Sequence, residues 1–299
     1  MPERILLDTD IGSDFDDAVC LAYLLANPDC DLLGITTVSG EGQRRAEMAS
    51  ALCRRAGKQV PIFVGREEPL LPGPAWQPSC PHARALPRWE HDSGFPEGEA
   101  VEFMRRAIRA CPREVTLLAI GPLTNVAALF AADAEIPSLL KRLVLMCGVF
   151  TAARAGAKTI EWNAKLDPTA TAIAYHCVDG RRGGPALHRS IGLDVTFDLT
   201  MPAEEARRRF QHPLLLPVLD FAEVRFEQVE EITFHDPLAA ATIFDDGICG
   251  FERGRVDVET ADPDRLGMTR WTADPEGPHE VAVRIDPARF FDHYFSFFR

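Results

Sequence analysis

Asp8, Asp10, Asp14, Asp16 and Asp17 place five carboxylates within ten residues. They follow an apolar run, Ile5–Leu7, and precede a helical pattern, Ala18–Ala26. In an open parallel sheet the carboxyl end of a strand faces the ligand crevice. Acids converging there repel one another unless a cation sits among them. Oxygen donors without nitrogen or sulfur select a hard ion, Ca2+ or Mg2+, over zinc. Asp16 and Asp17 also suit the positive end of the helix that follows. A solvated capping loop would account for those two, but Asp8 and Asp10 belong to the strand end. The segment is not an EF-hand loop, because Gly12 comes too early and no glutamate closes a twelve-residue span.

Three further segments carry polar groups that could serve a site: His235-Asp236, Glu161-Trp162-Asn163 with Asp167-Pro168 behind it, and Gly121-Pro122-Leu123-Thr124-Asn125. Taken singly, each has a plain structural reading. An adjacent His-Asp pair is more often structural, and a glycine turn between strand and helix needs only a capping Thr or Asn.

The elements that would position these residues alternate along the chain. Strands are expected at Leu32–Val38, Val60–Val64, Glu114–Ile120, Leu143–Val149 and Ser190–Val195. Helices are expected at Arg44–Ala56, Leu123–Phe130, Asp167–Tyr175, Ala203–Phe210, Leu214–Val229 and Pro237–Ile243. Arg255–Thr260 and His279–Ile285 read as late, antiparallel strands. Strand followed by helix, repeated, predicts an α/β fold: a mostly parallel open sheet flanked by helices on both faces, Rossmann-like. No composition shift marks a linker, so residues 1–299 are read as one domain. Residues 65–98 are rich in proline and weak in periodicity, which is the mark of a mobile active-site loop.

Composition excludes other classes. The 299 residues are 46% hydrophobic and 26% charged, ordinary globular usage. A net charge of −13 argues against nucleic acid or an anionic membrane as a partner. No apolar run approaches the roughly 20 residues of a membrane span, and the N-terminus lacks the long apolar stretch of a secretory signal. The expected location is cytoplasmic. The eight cysteines form no CxxC pair and read as reduced thiols.

Together these motifs resemble the inosine-uridine preferring nucleoside hydrolase family, in order and over nearly the whole chain. The family's DxDxGxDD loop and apolar helix appear as DTDIGSDFDDAVCLAYLL. Its TTVxGN strand end corresponds to Thr36–Glu41, its GPLTN turn to Gly121–Asn125, and its EFNxxxDPEAA segment to Glu161–Ala170. Its LDVT strand corresponds to Leu193–Thr196, and its late HD pair to His235-Asp236. The resemblance implies Ca2+-dependent hydrolysis of the N-glycosidic bond of ribonucleosides. Asp10 would be the general base, taking a proton from a water oriented by Ca2+, and would also touch the metal. Asp17, Asp236 and the carbonyl of Ile120 would complete the cation's protein ligands. Asp16, Glu161 and Asn163 would hold the ribose hydroxyls, and His235 would protonate the leaving base. The carboxylates would favour the positive charge of an oxocarbenium-like ribose, and chelation of its cis-diol would select ribose over deoxyribose. The family also implies a homodimer or homotetramer.

Three features depart from the family pattern. Asp14 is an extra acid, because the loop is two residues longer than GxDD. Glu41 stands where the family commonly has Asn, which puts another acid among the candidate sugar contacts. Ala155 replaces an Asn expected on the 5′ side of the sugar, and Arg154 and Lys158 flank it as either solvated cations or partners for a 5′ phosphate. In the 65–98 loop, Trp76, His82, Trp89 and His91 either close over a base or pack the loop to the body. Two enzyme readings and one binding reading compete with the nucleoside hydrolase. They are a hydrolase of another N-riboside, a catalytically silent ribosyl-binding protein, and a haloacid-dehalogenase-like phosphatase built on Asp8 and Asp10. The last leaves the five-acid loop unexplained.

Overall fold

A computed structural model describes residues 1–73, 75–151, 160–177 and 184–299. In chain order the strands are β1 (Glu3–Thr9), β2 (Cys30–Thr37), β3 (Ile62–Val64), β4 (Val115–Ala119), β5 (Arg142–Met146), β6 (Leu187–Ile191), β7 (Thr200–Pro202), β8 (Glu231–Thr233), β9 (Cys249–Val258), β10 (Thr269–Ala273) and β11 (His279–Ile285). The helices are α1 (Asp16–Ala26), α2 (Gly42–Arg55), α3 (Ala100–Ala110), α4 (Thr124–Ala132), α5 (Ile136–Leu139), α6 (Trp162–Leu166), α7 (Pro168–His176), α8 (Leu193–Thr196), α9 (Ala203–Arg209), α10 (Leu215–Phe226), α11 (His235–Ala241) and α12 (Pro287–Ser296).

Nine strands form one sheet in the order β10-β9-β11-β6-β5-β4-β1-β2-β3. From β11 to β3 every neighbouring pair is parallel, and β9 runs antiparallel to both β10 and β11. Successive residues of the central strands are buried on opposite faces. Ile5 and Leu7 join one hydrophobic cluster and Leu6 the other; Leu118 and Leu117 divide the same way. A strand covered on both faces is apolar at every position. Helix α1 stops where the sequence requires it, since Asn27 precedes Pro28 and is extended (ψ 118°).

The chain winds from β1 through β2 to β3 in one direction, and from β4 through β5 to β6 in the other. The carboxyl ends of β1 and β4 are therefore the switch point where an open α/β sheet binds its ligands. The acidic loop leaves β1 there, and Ile120 leaves β4.

The expected strand Ser190–Val195 is corrected. β6 ends at Ile191, and Leu193–Thr196 is a turn of helix. The amides of Val195 and Thr196 both reach the Gly192 carbonyl, and the Asp194 carboxylate accepts from the amides of Phe150 and Thr151 at 2.8 and 2.7 Å. A short apolar run does not distinguish strand from helix by itself. The 65–98 segment holds a 3-10 helix at Pro81–Arg88. Its two ends meet at β3, where Val64 N donates to Pro96 O and Gly98 N to Val64 O. None of the eight cysteines is disulfide-bonded. Among the described residues no helix is long and apolar enough to cross a membrane.

Candidate active site

The loop after β1 is held in a tight turn. Ser13 bonds the Asp10 carbonyl through both its amide and its hydroxyl, at 3.2 and 2.9 Å. Gly12 has φ 98°, and a Cβ there would stand 2.3 Å from Cys80 Sγ. Glycine is required on both counts. The turn brings Asp16 and Asp17 into the first turn of α1. Asp236 arrives from the first turn of α11, its amide donating to Asp16 Oδ2 at 3.1 Å. Asp16, Asp17 and Asp236 each offer a carboxylate oxygen, all within 4.8 Å of one another. All three are buried. Burial, and then their mutual repulsion and that of nearby acids, pushes these carboxyls well above the usual carboxylate range. Such a trio could bind a metal ion, and its donors are all oxygen.

Asp10 stands beside this trio rather than within it. Its Oδ2 accepts from the Gln77 amide at 2.5 Å, and its Oδ1 lies so close to Gly121 that a Cβ there would come within 2.8 Å. The glycine of the 121–125 turn thus lets β4 approach the acid. Burial raises the Asp10 carboxyl, and the Arg45 guanidinium opposes that rise. Asp8 lies beneath, fully buried, bonded by Thr36 Oγ1 and by Asn125 Nδ2 at 2.8 Å; burial pushes it up to about 7.

Glu161 and Asn163 line the opposite wall. The Glu161 carboxylate caps α6, accepting from the amides of Asn163 and Ala164 at 2.7 and 3.0 Å. Burial nevertheless holds its carboxyl above the ordinary range. Asn163 commits Nδ2 to the carbonyls of Ile120 and Met146, which leaves its Oδ1 as the acceptor for a ligand. His235 Nδ1 pairs with Thr196 Oγ1 at 2.7 Å, so the helical turn α8 orients the imidazole.

A cavity of about 650 Å3 gathers Asp10, Asp16, Asp17, Ile120, Glu161, Asn163, His235 and Asp236 on one wall system. Trp162, half exposed, sits at its rim. Glu41 does not line it. Its carboxylate is held by Cys80 N at 2.6 Å and lies 3.4 Å from Arg44 Nε, so it ties down the 65–98 loop instead of facing the sugar site. Glu41 is also left-handed (φ 59°, ψ 42°), a backbone that Asn adopts more easily than Glu. His82 is buried against Phe15, outside the cavity lining. Arg154, Ala155 and Lys158 lie outside the described residues.

Three participants escape sequence reasoning. Arg45 is fully buried in α2, and its guanidinium bonds the carbonyls of Asp10, Ile11, Gly40 and Ser79. Its one signal is spacing, because it shares the i, i+4, i+7 face of Ala49 and Leu52. Gln77 bridges Asp10 and Trp162, whose Nε1 donates to Gln77 Oε1 at 2.7 Å; nothing in its proline-rich surroundings marks it. Arg225 lines the cavity from the end of α10 and reads in sequence as a surface cation.

The chain is similar to known proteins over nearly its whole length. The family model for inosine-uridine preferring nucleoside hydrolase matches residues 5–292. The inosine-uridine preferring nucleoside hydrolase of Leishmania major is 30% identical over 97% of this chain and 96% of its own length. A probable uridine nucleosidase of Oryza sativa subsp. japonica is 27% identical over 95% of this chain and 89% of its own. Among solved structures, a plant nucleoside hydrolase superposes with a TM-score of 0.82 at 19% identity, covering 100% of this chain and 99% of that one, a likeness of fold. On the family match and its coverage, the chain belongs to the inosine-uridine preferring nucleoside hydrolase family.

Proposed function

We propose that this protein is a Ca2+-dependent hydrolase that cleaves the N-glycosidic bond of ribonucleosides to free base and ribose. The observation that carries the reading is one cavity with a buried carboxylate trio and Asp10 in its floor and His235 in its wall. The donor set suits a hard divalent cation: three buried acids whose repulsion a cation relieves, with the Ile120 carbonyl in the same cavity. Ca2+ accepts more ligands than Mg2+, so carboxylates, carbonyl and substrate hydroxyls can share it. Asp10, Asp17, Asp236 and the Ile120 carbonyl are assigned as its ligands, and the position of Asp16 in the trio makes it a further one. Bound there, the ion would supply a Lewis acid that makes a water more acidic and a chelate for the ribose diol.

The chain's own groups supply the rest. Asp10 accepts the proton of the attacking water as its oxygen bonds to C1′. Gln77 and Gly121 confine that carboxylate from two sides. Asn163 Oδ1 and Glu161 accept from ribose hydroxyls. The buried acids favour the positive charge that builds on the sugar as the C1′–N bond breaks. The bond's electron pair leaves on the base nitrogen, where His235, oriented by Thr196, delivers a proton.

The test is release of reducing sugar from a panel of ribonucleosides and 2′-deoxyribonucleosides, with added Ca2+, with a chelator, and with Asp10→Ala. Ribose and base released in equal amounts, lost in chelator and in the variant, is the expected result. Equal cleavage of deoxynucleosides would remove the diol from the account. No release from any nucleoside by cation-loaded protein would overturn the hydrolase reading.

A further inference from the structure

Arg45 carries a full charge into the interior with no acid to meet it. Its side chain is fully buried on α2, and among the described residues no carboxylate pairs with it. Its partners are oxygens on three separate segments. Nε donates to the Gly40 carbonyl at 2.8 Å and Nη2 to the Ser79 carbonyl at 2.9 Å. Nη1 donates to the Asp10 carbonyl, to the Ile11 carbonyl at 3.1 Å and to the Ser13 hydroxyl at 2.6 Å. Residues 10–13 follow β1, Gly40 follows β2, and Ser79 belongs to the 65–98 segment. A rigid planar fork suits such divided contacts, where a lysine ammonium reaches only some of them. A buried charge is costly unless its donors are used, so releasing any one segment leaves part of that cost unmet.

Other contacts hold the same stretch down. Gly40 N donates to Gln77 O at 3.1 Å, Cys80 N to the Glu41 carboxylate at 2.6 Å, and His82 N to Gly12 O at 3.3 Å. A Cβ on Gly40 would stand 2.4 Å from the Pro78 carbonyl oxygen, so the two backbones touch there. Held in this way, residues 77–82 deliver the Gln77 amide to Asp10 Oδ2 at 2.5 Å and to the Ser13 hydroxyl. That hydroxyl donates to the Asp10 carbonyl and accepts from both Arg45 and Gln77, which uses its whole hydrogen-bonding capacity.

We propose that Arg45 is a positioning residue for the base Asp10: one guanidinium fixes both the turn that carries Asp10 and the stretch that carries Gln77, so acid and amide meet in a preformed wall. Residues 77–82 are then a fixed part of the cavity, although the sequence reads 65–98 as a mobile loop, and no closure of this stretch precedes the chemistry. Arg45 does not line the cavity; it acts through the Asp10 main chain and through Gln77. Glu41, the acid that stands where the family commonly has Asn, closes the other end of the same clasp through Cys80. The inference rests on the hydrolase reading for its kinetics and on these contacts alone for the rigidity of the wall.

The experiment has two arms. In the first, hydrogen–deuterium exchange of the 77–83 amides is followed in wild type, Arg45→Lys and Glu41→Ala, each in Ca2+ with and without D-ribose. Wild type should exchange slowly in both conditions, and each variant several times faster. Fast exchange in free wild type that D-ribose slows would make the stretch a closing lid and overturn the preformed wall. The Glu41 side chain is 42% exposed, so Glu41→Ala carries this arm if Arg45→Lys fails to fold. In the second arm, steady-state kinetics on uridine and inosine compare Arg45→Lys, Gln77→Ala and the double variant. Arg45→Lys should lower kcat about tenfold with KM nearly unchanged, because Glu161 and Asn163 hold the sugar from the opposite wall. It should keep the Ca2+ shift in melting temperature, because Asp16, Asp17 and Asp236 stand on α1 and α11. The double variant should fall little below the weaker single one. Additive losses would mean that Arg45 does not act through Gln77, and a joint loss of kcat, KM and the Ca2+ shift would make it merely structural; either result overturns the assignment. If wild type releases no base from either nucleoside, the hydrolase reading falls, while the exchange arm still decides whether the clasp holds.

Discussion

Replacing Asp17 with asparagine should stabilise the protein in the absence of divalent cations and remove its stabilisation by Ca2+. Asp16, Asp17 and Asp236 hold oxygens within 4.8 Å of one another in buried surroundings. Two unit charges at that distance, with an effective dielectric near 20, repel by roughly 3–4 kcal/mol. Three ionised acids would thus cost about 10 kcal/mol. The protein escapes part of this by holding protons, as the raised carboxyls indicate. Protonation also limits the cost of any one acid. A carboxyl that ordinarily ionises near 3.8 can be kept neutral at pH 7 for about 4 kcal/mol. Asparagine keeps the shape without the charge, and the Thr9 hydroxyl can still donate to its Oδ1. The expected gain in chelator is about 2–4 kcal/mol, or roughly 4–8 °C in melting temperature. A raised folded-state pKa favours the native state at low pH and costs stability as pH rises, so the gain should be larger at pH 7 than at pH 4. Ca2+ at a hundred times its Kd should add about 2.7 kcal/mol to wild type and little to the variant. Differential scanning calorimetry in chelator and in Ca2+ reads both effects. A variant that melts lower than wild type in chelator would refute the charge argument, and an undiminished Ca2+ shift would refute the ligand assignment.

Asp10→Asn should lower kcat on ribonucleosides by about 10²–10⁴ with little change in KM, checked by steady-state kinetics; unchanged kcat would exclude Asp10 as the base. Gln77→Ala frees Asp10 and Trp162 together, so kcat/KM should fall about tenfold, with an unchanged melting temperature showing that the effect is local. Away from the site, burial holds His279 at about 4 and His188 well below the usual histidine range, and neither His188 nitrogen has a hydrogen-bond partner. Both histidines are neutral in the native state, so stability is full above about pH 6.5 and is lost as pH falls towards 4, by about 3 kcal/mol for His279. His188→Leu should flatten that acid limb in denaturant titrations at pH 7 and pH 5 without lowering stability at pH 7.

The acidic loop was legible because its chemistry is contiguous: five acids after one apolar strand place themselves once that strand is seen to be parallel. The sheet was legible because its central strands carry apolar runs buried on both faces, as Leu117 and Leu118 are, and alternate with helices. Asp236 was not legible from spacing, since it joins Asp16 across 220 residues through the start of α11; only the family resemblance linked them. Leu193–Thr196 was misread as strand because four residues carry no usable period, and its helical turn is what lets Thr196 hold His235. Glu41 read as a sugar contact because it stands where the family commonly has Asn, but its carboxylate accepts from Cys80 N and its backbone is left-handed. Arg45 and Gln77 act through main-chain carbonyls and one amide bridge, contacts that leave no motif.

The most direct test of the account is to strip the protein of metal and titrate Ca2+ back, following base release from inosine and uridine alongside the melting temperature. The account predicts no release in chelator. It also predicts that release and thermal stabilisation rise and saturate together with Ca2+, and that both vanish in Asp236→Asn. Full base release in chelator, or none from protein that Ca2+ visibly stabilises, would contradict it.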